Sequence, residues 1–156
     1  MITIDIPGWG NMEIKNILLD MNGTIAQDGK ISPGVKEKIN SLSGKVKVYV
    51  LTADTQGTAS DEIRNLDAEL VNLPGKDSKI GKLEFLKTLE PEMTVAIGNG
   101  NNDQLILKEA TLTIAVLGDE GVSVSALKNA DILVKDISDA LDLFLKPKRL
   151  IATLRE

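Results

Sequence analysis

The stretch Leu18-Leu19-Asp20-Met21-Asn22-Gly23-Thr24 carries a carboxylate to the end of an aliphatic run and follows it with an amide, a glycine and a hydroxyl. Two later stretches have the same form. VKVYVLT (46–52) ends in Thr52 and leads into Ala53 and Asp54, and MTVAIG (93–98) leads into GNGNND (98–103). A carboxylate can attack phosphorus and form an aspartyl phosphate that water later cleaves. That chemistry needs a cation against the phosphoryl oxygens, hydrogen bonds from hydroxyls and amides, and usually Mg²⁺. Asp20 is the strand-end acid with a glycine, Gly23, just downstream to let backbone approach a ligand. Thr52 can donate its hydroxyl, the N–H groups of the adjoining turn at Ala53 add more, and Asp103 brings a second negative charge near a metal. The lysine must come from elsewhere, and the helix starting near Lys82 is the candidate. Singly, these features have plainer readings as a turn former, a helix cap, a polar loop and a solvated face. Their order and spacing give them weight together.

Composition narrows the chemistry further. The chain has no cysteine and no histidine, which excludes disulfides, thiolate zinc sites, cysteine nucleophiles and the usual base of serine hydrolases. Acid–base work falls to Asp, Glu, Lys or Tyr. A formal charge of −5 argues against nonspecific nucleic-acid binding, which needs a basic surplus to displace counterions. Lys146, Lys148, Arg149 and Arg155 are a local exception, read as cations near the end of a last helix. The start, MITIDIPGWG, has neither the basic flank nor the apolar segment of a signal peptide, and no run approaches a membrane span. A cytoplasmic protein without membrane contact is the expectation.

The elements that must position these residues follow from periodicity. ITIDI (2–6) alternates apolar and polar residues, PGWGN turns, and MEIKNILLD follows, so a β-hairpin is expected whose second arm continues into a buried strand. Ser32-Pro33 opens a helix that keeps Val35, Ile39 and Leu42 in step. VKVYVLT is a strand, Ala59, Ile63 and Leu66 mark a helix, and AELVNL (68–73) is a shorter strand before the loop PGKDS. KLEFLKTL (82–89) is helical, MTVAIG is a strand, and Asn101 to Gln104 resembles a helix start. LTIAVLG (112–118), a helix around Val122 to Leu127, DILV (131–134) and a final helix striped by Ile137, Ala140, Leu141, Phe144 and Leu145 complete the chain. Strands alternating with helices, several without polar alternation, imply a mainly parallel sheet covered on both faces. At 156 residues a single domain, 1–156, is expected. In such sheets ligands bind outside the carboxyl ends of the strands, where Asp20, Thr52 and GNGNND converge.

Asp20-Met21-Asn22-Gly23-Thr24, then Leu51-Thr52-Ala53-Asp54, then Lys82-Leu83-Glu84-Phe85-Leu86, then Gly98-Asn99-Gly100-Asn101-Asn102-Asp103 resembles the four-motif series of the haloacid dehalogenase (HAD)-like hydrolases. The flavour is that of the phosphorylation domain of P-type ATPases, whose motifs run DKTGT, TGD and GDGxND. The likeness spans roughly residues 13 to 150. It implies a three-layer α/β/α HAD-like (Rossmannoid) fold with a mainly parallel sheet, the N-terminal hairpin and no cap domain. It implies Asp20 as nucleophile and metal ligand, and the Asn22 backbone carbonyl as a second ligand. Thr52 and Asn102 would hold phosphoryl oxygens together with the turns at Gly23 and Ala53. Lys82 would offset charge on nucleophile and phosphate, with Lys79 one turn earlier as its rival. Asp103 would orient a metal-bound water or Lys82, Mg²⁺ would be the cofactor, and a small phosphorylated molecule the substrate.

The chain departs from the pattern at two positions. Phosphatase branches carry Asp two residues after the nucleophile, where this chain has Asn22, which can neither protonate a leaving group nor activate water. Asn99 stands where the family usually has a metal-binding Asp. Two readings follow: a slow Mg²⁺-dependent phosphatase restricted to good leaving groups, or a phospho-ligand-binding or regulatory protein with little turnover. Without a cap, specificity falls to loops such as Gln27 to Ile31 and Asp119 to Ser125, or to a partner surface. Trp9 is a candidate contact for a protein partner or a second copy, against the alternative of a packed turn residue.

Overall fold

The computed structural model describes residues 1–53, 57–73, 75 and 77–156. Asp54 of the second turn, and Pro74 and Lys76 of the PGKDS loop, lie outside the described residues.

Strands β1 (Ile2–Ile6) and β2 (Gly10–Ile14) pair antiparallel as a separate hairpin, with Ile2, Ile4 and Ile6 buried and the residues between them exposed. The second arm runs on through Lys15 into β3 (Asn16–Asp20), which lies in the main sheet. There β4 (Lys47–Thr52), β5 (Glu69–Asn72), β6 (Thr94–Gly98), β7 (Leu112–Val116) and β8 (Ile132–Val134) join it in the order β5-β4-β3-β6-β7-β8. All neighbouring pairs are parallel. β3, β6 and β7 are buried along their whole lengths, as parallel strands covered on both faces must be, which accounts for their unbroken apolar runs.

Successive residues of a strand face opposite layers. Ile17, Leu19, Val48, Val50 and Ile97 pack with Val35 and Ile39 of α1 (Pro33–Ser43) and with Leu141 and Phe144 of α6 (Ile137–Leu145). Leu18, Tyr49, Leu51 and Ala96 pack with Leu86 of α3 (Ser78–Thr88), Ile106 of α4 (Gln104–Glu109) and Ala126 of α5 (Val124–Asn129). Each fully buried aliphatic side chain contributes about 1.5–3 kcal/mol. The short helix α2 (Thr58–Ile63) buries Ala59 and Ile63 in the first of these layers. Only residues 21–32 separate β3 from α1, too few for a cap domain at that point.

The chain does not end on α6. A further helix, α7 (Pro147–Leu154), starts with Pro147 in its first turn and buries Leu150. The basic cluster therefore sits at the α6–α7 junction and along α7, not at the end of one last helix. Asp142 takes up two of these cations, Arg149 Nη1 at 3.3 Å and Lys146 Nζ at 3.4 Å, together with Lys38 Nζ of α1 at 3.0 Å. No helix among the described residues is long and apolar enough to cross a membrane.

Candidate active site

Asp20 is the last residue of β3, a central strand flanked by β4 and β6, so the carboxyl ends of both neighbours surround it. Its side chain is almost wholly buried, and Lys82 reaches it from α3. That helix starts at Ser78, four residues before the apolar repeat, because the Asp77 carboxylate accepts the Ile80 N–H. The early start places Lys82 in the second turn with its ammonium completely enclosed. Lys82 Nζ donates to Asp20 Oδ1 at 2.6 Å and to Asp103 Oδ1 at 2.6 Å. Lys82, and not Lys79, is the lysine that meets the acid.

Asp103 is fully buried, and both its oxygens are engaged. Oδ1 takes Lys82, while Oδ2 accepts the backbone N–H groups of Asn99 and Gly100, each at 3.0 Å. One carboxylate thus folds the GNGNND turn and holds the lysine. Gly98 is required beneath it, because a Cβ there would lie 2.5 Å from Asp103 Oδ2 and 2.8 Å from its Cβ.

On the other side of Asp20, the Thr24 hydroxyl lies 3.2 Å from Asp20 Oδ2 and 3.1 Å from Asn99 Oδ1. One hydroxyl is shared by an oxygen from β3 and an oxygen from the turn after β6. Gly23 sits between them at φ +79°, and a Cβ there would be 2.6 Å from Asn99 Nδ2. Both the left-handed backbone and the tight contact call for glycine. Thr52 is buried at the end of β4, beside the end of β3. Ala53, Asn22, Met21, Gly29, Thr58 and Ala59 line a hollow of about 250 Å³ at this edge. Asn102 is turned toward α3, where its Nδ2 donates to Ser78 Oγ at 3.2 Å. A larger hollow of about 700 Å³, lined by Lys15, Asn16, Lys45 and Lys47 among others, lies at the opposite, amino ends of β3 and β4 and contains none of these residues.

The electrostatics follow from one ammonium between two enclosed carboxylates. Burial pushes the Asp20 carboxyl up from its ordinary 3.8 to about 7, with the Asp103 charge adding to the rise and Lys82 and Thr24 opposing it. Burial also disfavours the Lys82 ammonium, but the charges of Asp20 and Asp103 outweigh that and raise its proton affinity above the ordinary value of 10.5. The lysine therefore stays charged.

No protein-family model matches the chain. A soluble P-type ATPase-like phosphatase of Methanocaldococcus jannaschii is 30% identical over 128 residues, 79% of this chain but 46% of the relative. The crystal structure of 3-deoxy-D-manno-octulosonate 8-phosphate phosphatase from Moraxella catarrhalis, in complex with magnesium ion, phosphate ion and KDO molecule, matches with a TM-score of 0.71. It is 16% identical and is covered over 91% of this chain and 94% of that one. The chain has the HAD-like fold. An uncharacterised protein of M. jannaschii is also 52% identical over 82 residues, 50% of this chain and 88% of the relative.

Within this HAD-like site the structure brings together Asp20, Lys82, Asn99 and Asp103, and puts Asn22, Gly23, Thr52 and Ala53 at the same edge. Three residues not singled out in the sequence take part. Thr24, within the first motif, bridges Asp20 and Asn99. Ser78 receives Asn102. Glu120 brings its Oε2 to 3.1 Å from the position of a Gly23 Cβ. Thr24 had a sequence signal in its place in the motif, Glu120 lies in the Asp119 to Ser125 loop named for specificity, and Ser78 had none.

Proposed function

We propose that this HAD-like chain is a phosphohydrolase working through an aspartyl phosphate at Asp20. The observation that carries the reading is the enclosed Lys82 ammonium held at 2.6 Å from both Asp20 and Asp103 at the carboxyl end of the sheet. The ionised Asp20 carboxylate attacks phosphorus, and the bond from phosphorus to the leaving-group oxygen breaks with its electron pair going to that oxygen. Water then attacks the same phosphorus, which restores the carboxylate and releases inorganic phosphate. Lys82 keeps the carboxylate and the transferred group neutralised, and Asp103 fixes the lysine in place. The Thr52 hydroxyl and the turns at Asn22, Gly23 and Ala53 supply hydrogen bonds to the phosphoryl oxygens, and Asn102 joins them only by leaving its bond to Ser78.

The donor set fits a hard divalent cation such as Mg²⁺. Asp20 Oδ2 and Asn99 Oδ1 converge on the shared Thr24 hydroxyl, the Asn22 backbone carbonyl stands on the same turn, and all are oxygen ligands. Asp103 would act through Lys82 and the Asn99 turn, its oxygens being engaged there. When bound, the cation supplies positive charge to the phosphoryl oxygens. Among the described residues no group of three or more acidic, His or Cys side chains stands ready for a metal, so amide and carbonyl oxygens would complete the set.

Asn22, exposed at the rim, cannot serve as the acid that protonates a leaving group, so the substrates are small phosphorylated molecules with good leaving groups. The reading is tested with p-nitrophenyl phosphate and Mg²⁺: slow phosphate release is expected, abolished in Asp20→Asn and increased in Asn22→Asp. An unchanged rate in Asp20→Asn removes Asp20 from the nucleophile's place. The same exposed amide favours a second reading, a protein that holds a phosphorylated ligand with little turnover. Phosphate would then raise the melting temperature while no substrate in a panel of phosphorylated metabolites is consumed, and rapid turnover excludes it.

A further inference from the structure

Asn99 carries no charge on the side of the site where Asp20 and the Asn22 carbonyl would hold a cation, and a carboxylate from another loop comes near the Gly23 turn there. Glu120 lies between β7 and α5, one hundred residues from Asp20 in sequence. Its Oε2 and Asn99 Nδ2 both crowd the open side of Gly23, at 3.1 Å and 2.6 Å from the position of a Cβ there. The carboxylate is exposed and makes no hydrogen bond or ion pair among the described residues.

The position is built into the fold, because the loop is tied at both ends. The Leu117 and Gly118 N–H groups donate to Val134 O and Lys135 O, each at 2.9 Å. At the far end Asn99 Nδ2 donates to Gly121 O at 3.1 Å, and Ser123 N–H donates to Asn99 O at 2.8 Å. Glu120 is thus held beside the residue whose charge is missing, and by that residue's own amide.

We propose that Glu120 supplies the second carboxylate to a divalent cation held by Asp20 and Asn99. The inference rests on the metal-dependent reading of the site. It makes the loop after β7 part of the metal site, with an exposed glutamate in place of a buried aspartate. Binding of the cation also fastens that loop against the Gly23 turn.

The test is calorimetric titration of Mg²⁺, and separately Mn²⁺, into chelator-treated protein, with no substrate present. Glu120→Gln is expected to weaken both ions roughly tenfold, while Asp119→Asn, the neighbouring exposed acid, leaves them unchanged. The substitution is at an exposed position, and its melting temperature without metal should match the parent's. Equal affinity in Glu120→Gln overturns the inference while leaving Asp20 in place, provided Asp20→Asn loses both metal binding and hydrolysis. Equal loss in Asp119→Asn also overturns it, since general surface charge would then be the cause. Unchanged affinity with slower hydrolysis in Glu120→Gln overturns it in favour of proton transfer. No cation binding by the parent protein overturns this inference and the metal-dependent reading together.

Discussion

Replacing Asp20 by Asn should make the metal-free protein more stable, and only above a defined pH. The folded chain holds the Asp20 proton up to about 7, whereas an unfolded chain gives it up near 3.8. From pH 4 to 7 the native state therefore binds more protons than the unfolded one, and this group's contribution to stability falls as pH rises through that window. Above 7 the contribution is level. At 1.36 kcal/mol for each factor of ten in proton affinity, keeping Asp20 ionised in the fold costs about 4 kcal/mol at most. Asn removes that cost and leaves Lys82 and Asp103 as a neutral buried pair at 2.6 Å. Half of the cost, about 2 kcal/mol, corresponds to about 4–8 °C in melting temperature for a chain of this length.

The assay is thermal unfolding of chelator-treated parent and Asp20→Asn proteins from pH 4 to 9. The two should coincide near pH 4, separate through pH 5 to 7, and stay apart by a constant amount above that. On the proposed function, adding Mg²⁺ at pH 8 closes the gap, because the ion binds the parent and stabilises it by mass action. An Asp20→Asn protein that melts below the parent at pH 8, or a gap independent of pH, refutes the claim that burial and the Asp103 charge dominate this carboxyl.

Three further outcomes follow from the same geometry. Lys82→Met leaves Asp20 and Asp103 enclosed without their cation and should cost about 3–5 kcal/mol at neutral pH by chemical denaturation, whereas Lys79→Met should stay within about 0.5 kcal/mol. Gly98→Ala forces a Cβ against the Asp103 carboxylate and should cost about 1–3 kcal/mol, with phosphate release lost along with the displaced Lys82 contact. Asn22→Asp should raise turnover of alkyl phosphates about 10²–10⁴-fold and p-nitrophenyl phosphate far less, read as inorganic phosphate released, since only the poorer leaving group needs a proton.

Much of this arrangement was legible because each piece is local. Asp20 closes an apolar strand and Asp103 sits in a turn that follows another, so parallel-sheet geometry sends both to one edge, while Lys82, on a helix, followed from the resemblance to the family's lysine-led helix, with Lys79 as its rival. Where the pieces meet was not legible. The Thr24 hydroxyl reaches Asn99 across 75 residues, and Glu120 reaches the Gly23 turn because Asn99 ties its loop. No spacing along the chain encodes either contact. The α6–α7 break was hidden for a different reason: Pro147 fits the first turn of a helix as well as the end of one, and both helices carry apolar stripes.

The two amides that set this chain apart from the family pattern act on one balance of charge. With Asn at 99, the enclosed site holds two carboxylates against one ammonium, and that imbalance helps raise the Asp20 carboxyl. An aspartate at 99 would put a third carboxylate within reach of the Thr24 hydroxyl and push Asp20 further toward its protonated form, in which it can neither attack phosphorus nor hold a cation. A glutamate at 120 carries the same charge where water screens it, so it repels Asp20 less while the site is empty and still faces a cation once one is bound. Asn22 and Asn99 are therefore not equivalent losses. The first removes the proton donor that the family pattern places beside the nucleophile, and the second moves a charge from the interior to the rim, where it does not weaken the nucleophile.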